Sequence, residues 1–128
     1  MTENELSYKI IGAAIEVHKS LGVGLLEKAY ETALAYELKI LGLNVKQQVS
    51  LPLQYKDVSI ENAYKIDLIV EDKVIIEIKS VLELNPIFHA QVLTYLKQSN
   101  MKLGLLINFS SELIKYGIHR IVNNLINE

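Results

Sequence analysis

Residues 64–79 read YKIDLIVEDKVIIEIK. The stretch contains two apolar runs with the composition of buried strands, yet Asp67 lies inside the first run and Glu77 and Lys79 lie inside the second. A carboxylate is costly to bury in a sheet unless it is paired or bound to a metal. The two acids and the lysine therefore predict a small divalent-metal site on a β-hairpin, with a cation beside it.

The length of the hairpin loop decides whether the two acids meet. A loop of three residues, 71–73, places Asp67 directly opposite Glu77. A loop of two residues, 71–72, pairs Asp67 with Ile76 instead and turns Glu77 to the other face of the sheet. The metal site requires the first register, or a bulge with the same effect.

If the acids converge, their oxygens are hard ligands suited to Mg²⁺ or Mn²⁺. Such a site suits phosphodiester hydrolysis, because the ion neutralises charge that develops on the phosphate. Alternation places Lys79 on the face of Glu77, and it places Lys65 and Ile69 on the face of Asp67. Nearby carboxylates favour the charged form of Lys79, so water positioning and electrostatic stabilisation suit it better than general-base catalysis. The alternative is a solvated strand face with cross-strand ion pairs.

The composition narrows the class of protein. The chain has 128 residues, of which 50% are hydrophobic and 22% are charged, as expected for one globular domain over 1–128. It has no cysteine, which excludes a disulfide framework and a thiolate zinc site. No run approaches the roughly 20 apolar residues of a membrane span, and the acidic start does not resemble a signal peptide, so we expect a cytoplasmic location. The net charge is −2 and Arg120 is the only arginine, so lysines must supply any phosphate contacts.

The hydrophobic periodicity predicts the order helix, helix, three strands, helix, strand, helix. The elements expected in the first hundred residues span about 5–20, 26–41, 45–53, 64–70, 73–80 and 86–99. A continuous apolar run over 103–109 predicts a buried strand, and a helical crossover before it predicts parallel pairing with the third strand. The last helix is expected to carry Leu113, Ile114, Ile118, Ile121, Val122 and Leu125. The fold class is α/β, with one mixed sheet flanked by helices.

Two helices add residues that fit the same site. Glu27 lies at the start of the second helix and Tyr30 follows on the same face, although an acid at a helix start and a core tyrosine also explain them. Gln91 and Tyr95 lie four residues apart on the third helix, and Phe88 shares their stripe. An aromatic stripe alone is typical of core packing.

Together these motifs resemble the GxxExxY family, a small branch of the PD-(D/E)XK nuclease superfamily. Gly24, Glu27 and Tyr30 spell the family motif, and the resemblance runs from YKIIGAA at 8–14 to GLLINF at 104–109. It implies a restriction-endonuclease-like core of a helix, a three-stranded meander, a helix and a further strand, with extra helices at both termini.

The resemblance also implies roles for single residues. Asp67 and Glu77 fill the acidic positions of the superfamily motif and Lys79 fills its lysine position. Glu27 and the backbone carbonyl of Ile78 match further ligands of Mg²⁺ or Mn²⁺.

A second set of residues is expected to support the site or bind the substrate. Gln91 and Tyr95 resemble the Gln-x-x-x-Tyr motif of RecB-like nucleases, and Tyr30 and Lys65 complete the set. The chain departs from the family pattern in two places, because Ile66 replaces the motif proline and Lys65 stands where relatives often carry arginine.

The implied function is a metal-dependent nuclease with nucleic acid, DNA above all, as its partner. The alternative is a non-catalytic nuclease-fold module that binds nucleic acid or protein, which the small size, single arginine and acidic balance favour. A homodimer or a protein partner would supply binding surface to so small a core. No membrane association is expected.

Overall fold

The computed structural model describes residues 1–126, so the last two residues of the domain predicted over 1–128 lie outside the described residues. The described part contains three α-helices, five β-strands and one 3₁₀ turn. In chain order they are α1 (Glu3–Leu21), α2 (Glu27–Ile40), β1 (Val45–Tyr55), β2 (Val58–Val70), β3 (Val74–Lys79), α3 (Pro86–Ser99), β4 (Leu103–Asn108), the 3₁₀ turn (Ile114–Tyr116) and β5 (Ile118–Val122). No helix among them is long and apolar enough to cross a membrane.

The five strands form one open sheet in the order β1-β2-β3-β4-β5. Neighbouring strands are antiparallel except β3 and β4, which are parallel and are joined by the crossover helix α3. The mixed α/β sheet and the parallel pair are therefore confirmed, and they agree with a restriction-endonuclease-like core.

Each face of the sheet has its own hydrophobic core. On one face, Leu68, Ile76 and Ile107 are buried against apolar side chains of α1 and α2. On the other face, Ile75 and Leu106 are buried against α3. The sheet is thus covered on both sides, which explains why β3 and β4 are almost wholly buried.

The predicted C-terminal helix is wrong. Residues 114–122 form the 3₁₀ turn and β5, which pairs antiparallel with β4. A Cβ on Gly117 would lie 2.3 Å from the carbonyl oxygen of Asn108, and the Gly117 carbonyl accepts a hydrogen bond from the Asn108 N–H at 2.8 Å. Glycine therefore allows a close backbone crossing at which β5 starts, and β5 pairs with an edge of β4 that a helix would leave open.

The hairpin of β1 and β2 is longer than predicted. The second strand was expected to begin at Tyr64, but it begins at Val58, and the two strands remain paired to Tyr55↔Val58. Residues 58–62 are all exposed, and the alternation of Val58 and Ile60 with polar residues is the sequence signal for this part of the strand.

Candidate active site

The predicted register of the second hairpin is confirmed. Val70 pairs with Val74 across a loop of three residues, and the ladder continues to Leu68↔Ile76. One residue further, the same register sets Asp67 opposite Glu77. The backbone N–H of Asp67 donates a hydrogen bond to Oε1 of Glu77 at 3.2 Å, so the two acids meet as the metal hypothesis requires.

The strands separate where the acids meet. β2 continues beside β1, whereas β3 continues beside β4 as far as Lys79↔Asn108. We call this point, at Asp67 and Glu77, the fork. The backbone N–H of Ile78 donates to Oδ2 of Asp67 at 2.9 Å, so the acids supply hydrogen bonds that the interrupted ladder no longer makes.

The hairpin of β1 and β2 also turns over at the fork. Ile66 packs in the core under α3, but Leu68, two residues later, packs in the core under α1 and α2. On β1, Gln47 donates a hydrogen bond to Glu31 of α2, whereas Val49 packs on the α3 side. Strict alternation of side chains therefore fails at this point of both strands.

For this reason the expectation that Lys65 shares a face with Asp67 and Ile69 is wrong, although Asp67 and Ile69 lie in the regular register of β2 and β3. Ile66 and Ile69 pack in the same core although they are three positions apart. Lys65 is exposed, and within the described part of the chain it forms no hydrogen bond or ion pair with Asp67 or Glu77.

The surroundings of both acids disfavour their charged forms. Burial, reinforced by the negative charge of Asp67, raises the pKa of Glu77 from 4.5 to about 8. The pKa of Asp67 is also raised, mainly by burial and additionally by the charge of Glu31, against the lowering effect of hydrogen bonds from Ile78 and Gln48. A bound cation would relieve this strain, because it favours the ionised form of both groups.

Lys79 supplies the predicted cation beside the acids. Its Nζ lies 4.0 Å from Oε2 of Glu77. The same ammonium lies 4.3 Å from the ring centroid of Phe88 on α3, within the range of a cation–π contact. The side chain is only 18% exposed, so its position is restricted by the strand and by the aromatic ring.

Tyr95 borders the acids from α3. Its ring packs edge-to-face against Tyr64 at a centroid distance of 5.4 Å. Burial, followed by the charges of Glu77 and Asp67, raises the pKa of Tyr95 to about 12, so the phenol stays protonated at neutral pH. Gln91 lies one helical turn earlier and is half-buried, without a hydrogen bond to either acid among the described residues.

Glu27 lies at the first residue of α2 and faces the end of β3. Its Oε2 accepts a hydrogen bond from the backbone N–H of Ser80 at 3.3 Å. Glu27 is exposed, and nothing in the described contacts joins it directly to Asp67 or Glu77. It therefore stands at the margin of the fork.

Tyr30 explains the spacing of the motif in structural terms. It is fully buried, its hydroxyl donates to the carbonyl of Gly22 at 2.6 Å and it accepts from the N–H of Leu25 at 3.2 Å. Gly24 has a φ of +100°, a conformation that favours glycine. The glycine and the tyrosine thus fix the loop that delivers Glu27, and Tyr30 supports the site without being able to reach a substrate.

Two residues near the fork were missed in the sequence. Glu31 is only 4% exposed and accepts hydrogen bonds from Lys28 and from both Gln47 and Gln48. The sequence feature that could have identified Glu31 is its position on α2, one helical turn after Glu27 and directly after Tyr30. No sequence motif marks Gln48, because its contacts are with Glu31 on α2 and Asp67 on β2, which are distant in the sequence.

The donor set at the fork fits a hard divalent cation. No group of three histidine, aspartate or glutamate side chains within residues 1–126 is close enough to hold a metal. However, Mg²⁺ is usually bound by one or two carboxylates, with water and substrate phosphates completing the shell. Asp67 accepts hydrogen bonds at Oδ2 from Ile78 and at Oδ1 from Gln48, and Glu77 accepts one at Oε1 from the backbone N–H of Asp67. A carboxylate oxygen that accepts one hydrogen bond still has a second lone pair for a cation. The carbonyl of Ile78, between Glu77 and Lys79, is a further candidate ligand.

Comparison with known proteins identifies the family. A family model described as the PD-(D/E)XK nuclease superfamily matches residues 4–121. No curated protein and no solved structure matches the chain. Nucleases of the matched superfamily generally use divalent metals.

Proposed function

The chain belongs to the PD-(D/E)XK nuclease superfamily, and we propose that it is a metal-dependent nuclease that hydrolyses phosphodiester bonds in nucleic acid. The observation that supports this most directly is the meeting of Asp67 and Glu77 at the fork, with Lys79 on the same strand as Glu77. The raised pKa values of both acids add support, because such a pair is costly for the metal-free fold.

In this proposal Asp67, Glu77 and the carbonyl of Ile78 hold Mg²⁺ or Mn²⁺, and Glu27 is a further ligand from α2. The ion would supply charge neutralisation at the phosphate and lower the pKa of water. Lys79 donates to a phosphate oxygen and to the attacking water, and its contact with Glu77 keeps it beside the acids.

The remaining residues position these groups and the substrate. The protonated phenol of Tyr95 is a hydrogen-bond donor near both acids. Gln91, one turn earlier on α3, would contact the substrate. Lys65 is exposed on β2 and would contact the phosphate backbone outside the metal site. Tyr30 acts only by fixing the loop before Glu27.

We further propose that the chain belongs to the GxxExxY branch, forms one domain over 1–128 and acts on DNA rather than RNA. A homodimer or a protein partner and a cytoplasmic location complete the proposal. The acidic balance and single arginine make a second copy or a partner useful for gripping a polyanion.

A cleavage assay tests the proposal. Labelled single- and double-stranded DNA and RNA are incubated with the protein and Mg²⁺ or Mn²⁺, beside Asp67→Asn and Lys79→Met. Each variant is expected to lose about 100- to 1,000-fold in rate. Asp72→Asn is the matched control, because Asp72 lies in the same hairpin but pairs with Lys46 at the surface. Cutting that persists in both site variants would come from a contaminant and would refute the proposal.

The second candidate is a non-catalytic nuclease-fold module that binds nucleic acid or protein. The observation that favours it is the pKa of Glu77, since an acid with a pKa of about 8 is largely neutral at pH 7 without a metal and is then tolerated as a structural group. Calorimetry separates the two candidates. Binding of Mn²⁺ that is lost in Glu77→Gln favours the nuclease, whereas equal, weak binding by both proteins favours the module.

A further inference from the structure

Gln48 occupies an unusual position in the hairpin. It lies on β1 between Gln47, which pairs with Leu68, and Val49, which pairs with Ile66, so it stands opposite Asp67. Its φ is +51°, in the left-handed region that a residue with a side chain rarely adopts inside a strand. Such a conformation persists only where surrounding contacts enforce it.

The side chain of Gln48 supplies those contacts. Its amide nitrogen donates to Oε1 of Glu31 at 2.5 Å and to Oδ1 of Asp67 at 3.2 Å. An amide NH₂ has two protons, one for each carboxylate. Gln48 therefore lies between two acids that would otherwise repel each other, and it connects buried Glu31 on α2 to the fork.

Both oxygens of Asp67 are thereby fixed. Oδ2 accepts from the backbone N–H of Ile78 and Oδ1 accepts from Gln48. Each oxygen can still offer a second lone pair to a cation, so the two hydrogen bonds set the orientation of the carboxylate without blocking it. An extended backbone at Gln48 would carry its amide to another position and release Oδ1.

We infer that Gln48 is a positioning residue that orients Asp67 for metal binding by bridging it to Glu31. The inference rests on the proposed function, because it assigns Gln48 to the metal site at the fork. Gln48 itself touches neither the metal nor the reacting phosphate. The left-handed backbone is the conformation that brings its amide between the two carboxylates.

The neighbouring Gln47 provides a matched control. Its amide donates to Oε2 of the same Glu31 at 3.1 Å, but it has no hydrogen bond to Asp67 among the described residues. Gln47→Met and Gln48→Met therefore remove the same chemical group next to Glu31, and only the second also releases Asp67. Gln48→Gly removes the amide as well but suits the left-handed backbone, so it preserves the fold if methionine does not.

The first readout is the dissociation constant of Mn²⁺, measured by calorimetry on the metal-free protein. Loss of an outer partner of a ligand typically weakens metal binding about 10- to 100-fold, and we expect at least the lower value for both Gln48 variants. The dissociation constant of Gln47→Met should stay within about 3-fold of the wild-type value, since this variant keeps the hydrogen bond between Gln48 and Asp67. Thermal unfolding checks that each variant is folded.

The second readout is the split between kcat and KM in the cleavage assay. At a fixed, subsaturating Mn²⁺ concentration, kcat should fall with metal affinity, whereas KM for nucleic acid should change less than about 2-fold, because Gln48 is not proposed to contact the substrate. A general loosening of the hairpin of β1 and β2 would raise KM as well, since Lys65, the proposed phosphate contact, lies on β2 of the same hairpin.

Each outcome decides the inference. It is overturned if both Gln48 variants bind Mn²⁺ as the wild type does, or if Gln47→Met loses as much affinity as Gln48→Met. A wild type that binds no Mn²⁺ and cuts no nucleic acid would refute the proposed function together with this inference. A wild type that binds and cuts, beside unaffected Gln48 variants, would refute the inference alone.

Discussion

Replacing Glu77 by glutamine is expected to stabilise the metal-free protein. Glu77 is only 6% exposed, and its pKa in the fold is about 8 against an ordinary 4.5. Glutamine has the same shape and can still accept the hydrogen bond that the backbone N–H of Asp67 donates to Oε1. The substitution therefore removes the cost of keeping Glu77 protonated in the fold while it preserves the contact at the fork.

The sign follows from proton binding. Between pH 4.5 and about 8 the folded protein keeps a proton on Glu77 that the unfolded chain has lost, so stability falls as the pH rises through this window. Each pH unit corresponds to about 1.4 kcal/mol, which gives a cost of roughly 3 kcal/mol at pH 7 if the whole shift acts on folding. Residual hydration reduces this cost, so we expect Glu77→Gln to gain about 1–3 kcal/mol at pH 7 and less than about 1 kcal/mol at pH 5.

Thermal unfolding followed by circular dichroism in EDTA, from pH 5 to pH 8, measures this effect. For a chain of this size each kcal/mol shifts Tm by about 3–4 °C, so the variant should melt about 3–12 °C above the wild type at pH 7. Glu83→Gln is the control, because Glu83 is exposed in the loop before α3. A variant that is less stable than the wild type at pH 8, or a difference that does not depend on pH, would refute the reasoning. Adding Mn²⁺ should then stabilise the wild type and not Glu77→Gln.

Three further predictions concern catalysis, packing and the loop before α2. Lys79→Met should lose about 100-fold or more in cleavage rate. It should bind Mn²⁺ at least as tightly as the wild type by calorimetry, because a positive charge 4.0 Å from Glu77 is removed, and weaker binding would contradict this. Gly117→Ala should lower the free energy of unfolding in urea by about 2 kcal/mol or more, since its Cβ would lie 2.3 Å from the carbonyl oxygen of Asn108; an unchanged midpoint would contradict it. Tyr30→Phe should lower the free energy of unfolding in urea by about 1–2 kcal/mol, because the tyrosine hydroxyl makes two hydrogen bonds. Its cleavage rate should fall less than that of Lys79→Met.

The strands and the pairing at the fork could be predicted because they depend on local patterns. Apolar runs identify β3 and β4, and the parity of a three-residue loop sets Asp67 opposite Glu77. The last helix could not be excluded in this way. Ile118, Ile121 and Val122 fit a helical stripe as well as a short strand, and the choice is made by the open edge of β4.

The link between α2 and the fork could not be predicted for a different reason. Alternation is a property of a regular strand, and it is interrupted on β1 at Gln48, whose neighbours Gln47 and Val49 lie on opposite faces of the sheet. Neither the φ of +51° nor the contact with Glu31 is encoded in the sequence near Gln48. On β2 the change of face falls between Ile66 and Leu68, opposite Gln48, and it separates Lys65 from the face of Asp67.

Asp67 and Glu77 have a structural role at the fork in addition to the proposed chemical one. Where β2 and β3 part, the N–H groups of Asp67 and Ile78 lose their strand partners and are satisfied by Glu77 and Asp67 instead. Alanine at either acid would leave a backbone donor without its partner, which costs about 1–3 kcal/mol if water cannot reach it. The activity of an alanine variant therefore cannot distinguish the loss of a metal ligand from the loss of the hydrogen bonds that hold the strands at the fork. Asp67→Asn and Glu77→Gln keep an acceptor for each N–H while they remove the charge, so activity lost in these variants at unchanged or higher Tm must come from the chemistry of the carboxylates.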